Sequence, residues 1–104
     1  MKRGEIWDAD IGGKAGRRPA VVLTRSEAIP YLSKVIVAEV TTRGKGYPTQ
    51  VSVGHEANLP KESWVSAEGL HTLPKDRLLR CRGELSEITM RRVGDAVIFA
   101  LELS

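Results

Sequence analysis

Several short β-type runs follow one another along this chain before a single helical stripe at its end, and that brevity is the strongest constraint on its fold. EIWDADI sets Trp7, Ala9 and Ile11 on one face and Asp8 and Asp10 on the other, the spacing of a half-buried strand. PAVVLT and KVIVAEV are dense in valine and isoleucine and read as central strands, with residues 26–32 between them broken at Pro30. TQVSV and SWVSAE are shorter alternating runs, and LLRCRGEL alternates Leu79 and Cys81 with Arg80 and Arg82. The period lengthens only after Ser86. There Met90, Val93, Val97 and Leu101 recur at helical spacing, Ser86 is an N-cap and Glu87 sits in the first turn, so a helix is expected over 86–100. Gly94 weakens it by up to about 1 kcal/mol. Many short strands and one closing helix predict an α+β, mainly β domain: a strongly bent antiparallel sheet, barrel-like, with the helix laid on it.

At 104 residues the chain is expected to be one domain, 1–104, with material for a single core. MKRGEIWDAD is charged from the start and no apolar run approaches the ~20 residues of a membrane span, so a cytoplasmic protein without membrane contact is expected. The lone Cys81 rules out an internal disulfide and is expected to fill a core gap. The net charge of +3 is unevenly placed: nine Lys or Arg against five Asp or Glu up to residue 50, seven against eight beyond it. A basic first half favours an anionic partner.

Several chemistries are absent. There is no phosphate-binding glycine loop with its lysine, no HExxH, and His55 and His71 have no partners at ligand spacing, so no metal and no cofactor is expected. No serine stands in a nucleophile elbow, and Cys81 sits in an alternating run. What remains is a set of polar residues at the ends of apolar strands. Arg17 and Arg18 end the flexible, basic loop GGKAGRR, with Arg18 immediately before the strand PAVVLT, Thr41 and Thr42 close the third strand, and Arg43, Lys45 and Tyr47 lie in the loop RGKGYP. Glu68 and His71 are expected to flank a turn after SWVSAE. Brought together, these groups would form a basic groove suited to a phosphodiester. Singly each has a plainer reading: the arginines as guards against aggregation, the threonines as strand formers, the loop as a solvated hairpin, and Trp7 and Trp64 as core.

The order RGEIW, RRPAVVLT, IVAEVTT, PTQVSV and SWVSAEGLHTLPKDRL, then a last helix, resembles the MazF/PemK family of toxin endoribonucleases over essentially the whole chain. The resemblance implies a MazF/CcdB-like fold: an SH3-like barrel of short antiparallel strands with a C-terminal helix. It also implies a homodimer, cleavage of single-stranded RNA (mRNA) at short sequences without a metal, and a cognate antitoxin whose tail occupies the same grooves. By position, the family's arginine of the RP motif falls on Arg18, its threonine at the end of the third strand on Thr41, and the acidic residue of one branch on Glu68. The chain departs from the pattern in its loop GGKAGRR, which lacks a histidine or glutamate, in Leu70-His71-Thr72 where many members read Ile-Arg-Thr, and in Ser66 where one branch has arginine.

Metal-free cleavage requires the 2′-hydroxyl to attack its own phosphate. Arg18 suits the phosphate clamp, because its planar fork holds two oxygens and stays charged. Thr41 would hydrogen-bond a phosphate oxygen or the attacking hydroxyl, and Glu68 or His71 would take the proton. Arg17, Thr42, Arg43, Lys45 and Tyr47 would contact the RNA, Tyr47 by stacking on a base. Two other functions fit the fold: a gyrase-poisoning toxin, against which the terminus FALELS lacks the tryptophan signature, and a non-catalytic SH3-like nucleic-acid-binding module, against which the five aromatics are scattered.

Overall fold

The valine- and isoleucine-rich runs do form the middle of one antiparallel sheet. In the computed structural model, which describes residues 1–103, the strands are β1 (Glu5–Gly12), β2 (Gly16–Val22), β3 (Lys34–Thr41), β4 (Gln50–Gly54), β5 (Ser63–Pro74) and β6 (Leu78–Glu84), followed by helix α1 (Glu87–Leu101). The sheet order is β4-β5-β3-β2-β1-β6, so β2 and β3 are central and β4 and β6 are its edges. Single turns of 3-10 helix at Ile29–Tyr31, Glu56–Asn58 and Lys75–Arg77 join the strands. The turn at Glu56–Asn58 packs on β6, and Asn58 Nδ2 donates to the Arg82 carbonyl at 2.7 Å, so this turn bridges toward the β6 edge. Ala57 and Asn58 take left-handed φ values of 55° and 59° to make that approach. The space is granted by Gly83, where a Cβ would stand 2.9 Å from Ala57 Cα.

The sheet buries apolar side chains on both faces, and the one core expected from chain length is two clusters. Ile6, Val21, Ala38, Val40, Val53, Leu59, Val65 and Leu85 form the first with Val93 of α1. Ala9, Ala20, Val22, Ile29, Val35, Val37, Leu73 and Leu78 form the second, with Trp7 and Ile11 against it. Successive residues of β2 therefore feed opposite clusters, as strand alternation demands. Trp7, Ala9 and Ile11 do share a face, but Ile6 is buried on the other one.

Other expectations change. Arg17 and Arg18 do not belong to a flexible loop: the β1–β2 hairpin is tight, and they pair with Asp10 and Ala9 inside β2. No turn follows SWVSAE, since β5 runs unbroken to Pro74. It bends instead, because β3 advances from Ala38 to Val40 while its β5 partners step from Leu70 to Val65. Cys81 is exposed on the edge strand β6 and fills no gap. In α1 the Ser86 hydroxyl accepts from the Thr89 N–H at 3.2 Å, as the N-cap requires. The helix buries Thr89, Val93 and Ala96, while Leu101 is exposed. No helix among the described residues is long and apolar enough to cross a membrane.

Candidate active site

Arg18 projects from β2 at the end of the tight hairpin, where its Nε donates to the Ala15 carbonyl at 2.9 Å and its Nη1 to Glu39 Oε1 at 3.3 Å. Two anchors on one guanidinium orient the fork and leave its remaining N–H groups available. The ion pair is partly solvent-exposed, so it contributes no more than about 0.2–1 kcal/mol and yields readily to a competing anion. Thr41 ends β3 beside it, and its hydroxyl oxygen accepts from the Arg43 N–H at 3.1 Å. The hydroxyl proton is thereby directed away from the backbone and is free to donate.

These groups meet where two recesses adjoin. One, of about 380 Å³, is lined by Arg18, Thr41, Thr42, Arg43, Lys61 and Arg82 among others, with no carboxylate on its wall. The second, of about 280 Å³, shares Arg18, Thr41 and Arg43 and adds Lys45, Tyr47, Glu39 and Glu68. A purely basic recess beside a mixed one gives a groove in which an anion is attracted on one side and a carboxylate stands ready on the other. Arg82 is held in the first by Asp8, its Nε donating to Oδ1 at 2.6 Å.

The loop between β3 and β4 is shaped by residues that sequence reasoning passed over. Gln50 takes the Lys45 N–H on its Oε1 at 2.7 Å and donates from Nε2 to the Arg43 carbonyl at 3.4 Å, one side chain spanning the loop. Trp64, half-buried and not core, lies across Gly44 so closely that a Cβ there would sit 2.4 Å from the indole. Tyr47 is left exposed on the groove wall, over half of its surface open to solvent.

Of the residues singled out from sequence, Arg18, Thr41, Arg43, Lys45, Tyr47 and Glu68 come together around the second recess, and Thr42 lines the first. Arg17 is exposed on β2 and lines neither. His71 also lines neither and reaches the groove only through Glu39, to whose Oε2 its Nε2 donates at 2.6 Å. Glu39 itself was missed. Its signal was visible, since it is the one charged residue within VIVAEV, but its partners His71 and Arg18 are 32 and 21 residues away in sequence. Among the described residues no three His, Cys, Asp or Glu side chains converge as a metal site.

Residues 2–101 match the family model of the PemK-like, MazF-like toxin of type II toxin-antitoxin systems. The chain is 33% identical over 103 residues to the probable endoribonuclease MazF5 of Mycobacterium tuberculosis, covering 98% of this chain and 94% of that protein. It is 32% identical to the endoribonuclease MazF of Staphylococcus saprophyticus, covering 99% and 92%. Among solved structures it is similar to the Mycobacterium tuberculosis toxin MazF-mt6, with a TM-score of 0.88 at 31% identity over 96% of this chain and 98% of that one. A mycobacterial endoribonuclease solved in complex with its cognate antitoxin gives a TM-score of 0.89 at 28% identity, covering 100% and 97%.

Proposed function

The chain belongs to the PemK-like, MazF-like toxin family of type II toxin-antitoxin systems, and we propose that it is the toxin of such a pair, an endoribonuclease that cuts single-stranded RNA in the cytoplasm without a metal. The observation that carries this reading is the placement of Arg18 and Thr41 side by side where a carboxylate-free basic recess opens. Arg43, Lys61 and Arg82 draw the RNA backbone into that recess. Arg18 holds two oxygens of the scissile phosphate, and Thr41 donates its hydroxyl proton to one of them. The bound phosphate is then in place for in-line attack by the neighbouring 2′-hydroxyl, and the charge that builds on its oxygens falls on donors already held by the Ala15 carbonyl and the Arg43 N–H. Metal independence is supported by the donor set, which offers cations and hydroxyls to the phosphate.

Tyr47, Lys45 and the loop braced by Gln50 read the bases on either side of the cut. The partners are RNA, a cognate antitoxin that competes for this groove, and a second copy of the chain. The homodimer is supported by an apolar recess of about 360 Å³ between α1 and the sheet, lined by Leu23, Ile36, Leu70, Val97, Ile98 and Leu101.

The test is incubation of a long single-stranded transcript with the purified protein in excess EDTA, beside Arg18→Ala. Discrete fragments with 2′,3′-cyclic phosphate ends are expected from the wild type, with at least ~100-fold slower cutting by the variant. RNA left intact by a folded wild-type protein would overturn the reading.

A further inference from the structure

The groove contains a carboxylate that the reading above uses only as a brace. Glu39 stands on β3 two residues before Thr41, and its two oxygens are held unequally. Oε2 accepts from His71 Nε2 at 2.6 Å, short for a charge-assisted contact, whereas Oε1 accepts from Arg18 Nη1 at 3.3 Å, which is long for one. His71 comes from the interior of β5, opposite Val37, and its side chain is less exposed than that of Arg18, 30% against 43%. The histidine contact is therefore the rigid one and the arginine contact the exchangeable one. Gly69 allows this arrangement, since a Cβ there would press on Glu39 Cβ and Oε2 at 3.2 Å.

We infer that Glu39 is the general base of the cleavage, unmasked by the substrate itself; the inference rests on the ribonuclease reading. A phosphodiester offers the Arg18 fork two oxygens at once, a better match than one long contact to Oε1. When Arg18 turns to the phosphate, Oε1 loses its donor while Oε2 stays on His71. A fixed, unpaired carboxylate oxygen is then left beside the reacting phosphate, and it exists only when substrate is bound. Oε1 takes the 2′-hydroxyl proton as the O2′–P bond forms and the P–O5′ bond breaks. The leaving 5′-oxygen takes a proton from a solvent water, and the hydroxide so formed is neutralised by the proton Glu39 later releases. The products are a 2′,3′-cyclic phosphate and a 5′-hydroxyl. His71 is a positioning residue, its Nε2–H aiming the carboxylate. Glu68 lines the same recess but is exposed, and no hydrogen bond holds its carboxylate among the described residues.

The experiment measures kcat and KM for the full chain on a transcribed single-stranded RNA in EDTA, together with affinity for the same RNA carrying 2′-O-methyl groups, which binds but has no nucleophile. Glu39→Gln is expected to lower kcat by about 100-fold or more while its affinity for the methylated RNA stays within about threefold of wild type. Glu39→Asp, which keeps a carboxylate, is expected to regain part of the lost rate. His71→Ala should slow kcat about tenfold or more, and His71→Gln, which restores an N–H donor, should recover most of it. Near-wild-type kcat in Glu39→Gln, or loss of methylated-RNA affinity in proportion to rate, would overturn the assignment and leave the ribonuclease standing. A wild-type protein that leaves RNA intact would instead overturn the ribonuclease.

Discussion

Glu56 lies outside the groove, and its substitution should weaken the fold in a way that depends on acid. Its Oε1 accepts from the Ser86 N–H at 2.9 Å and its Oε2 from the Thr89 hydroxyl at 2.6 Å, so one carboxylate ties the Glu56–Asn58 turn to the first turn of α1. Burial alone would raise its pKa. The hydrogen bonds from the Ser86 backbone, the Thr89 hydroxyl and the Ser86 hydroxyl, with the charge of Arg92, outweigh that effect and hold the carboxyl below its ordinary value. Each hydrogen bond to a charged acceptor is worth about 1.5–3 kcal/mol, and a negative charge at a helix N-terminus adds about 0.3–1. Glu56→Gln keeps the shape and an acceptor oxygen but loses the charge, so about 1–2 kcal/mol should go at pH 7, a fall in Tm of roughly 4–16 °C for a domain of this size. A depressed folded-state pKa contributes stability that is complete above the unfolded glutamate value of about 4.3 and is lost as pH falls through the lower folded value. The gap between wild type and variant should therefore close on acidification. Urea melts followed by circular dichroism from about pH 7 to pH 3 measure it, and a gap that is constant or widens in acid would refute the reasoning.

Three further outcomes are expected. Gly69→Ala forces Glu39 aside by a few tenths of an ångström, so cleavage should slow about tenfold while Tm moves by only a few degrees, read by paired rate and melting measurements. Tyr47→Ala should change which sites in a long transcript are cut, with the salt dependence of cutting unaltered; sequencing of fragment ends checks the first and a salt titration the second. Leu101→Glu places a charge on the half-exposed rim of the apolar recess and should convert a dimer to monomers in light scattering at micromolar concentration, with the monomer still folded.

The sequence was most legible where local chemistry decides the outcome. The valine-rich runs became β2 and β3, and Ser86 caps α1 because a hydroxyl ahead of a helical stripe has an N–H to bind three residues on. Arg18 and Thr41 were visible as polar ends on stiff strands, and they do converge. What stayed hidden depends on partners distant in the chain. Cys81 alternates as an inward residue would, yet β6 is an edge strand and Cys81 faces solvent. With only five aromatics in the chain Trp64 reads as core, but it is half-buried and its ring lies against Gly44 in the loop. The sequence after SWVSAE suggests a turn where β5 only bends, and no periodicity reports that an antiparallel partner continues on both sides of the bend.

That bend ties the fold to the chemistry. Trp64 and Val65 pair with β3 on one side and β4 on the other, whereas Leu70 to Pro74 pair with β3 alone. The switch requires residues 66–69 to leave the β3 ladder opposite Glu39, and Ala67 turns its N–H to the Thr49 carbonyl at 2.8 Å. A sheet this small must bend sharply to cover two clusters, so the extra residues are a demand of packing before they are a demand of function. Their consequence is local: Glu39 pairs with Ala20 of β2 but has no ladder partner on its β5 side, which gives its carboxylate room to swing toward His71 and Arg18, and Glu68 is carried to the groove wall. The placement of these two carboxylates follows from the same irregularity that closes the fold. A large side chain at the buried Ala67 should accordingly move stability and cleavage together, and substitutions at Arg18 or Thr41, which lie in strand register on β2 and β3, should move chiefly cleavage.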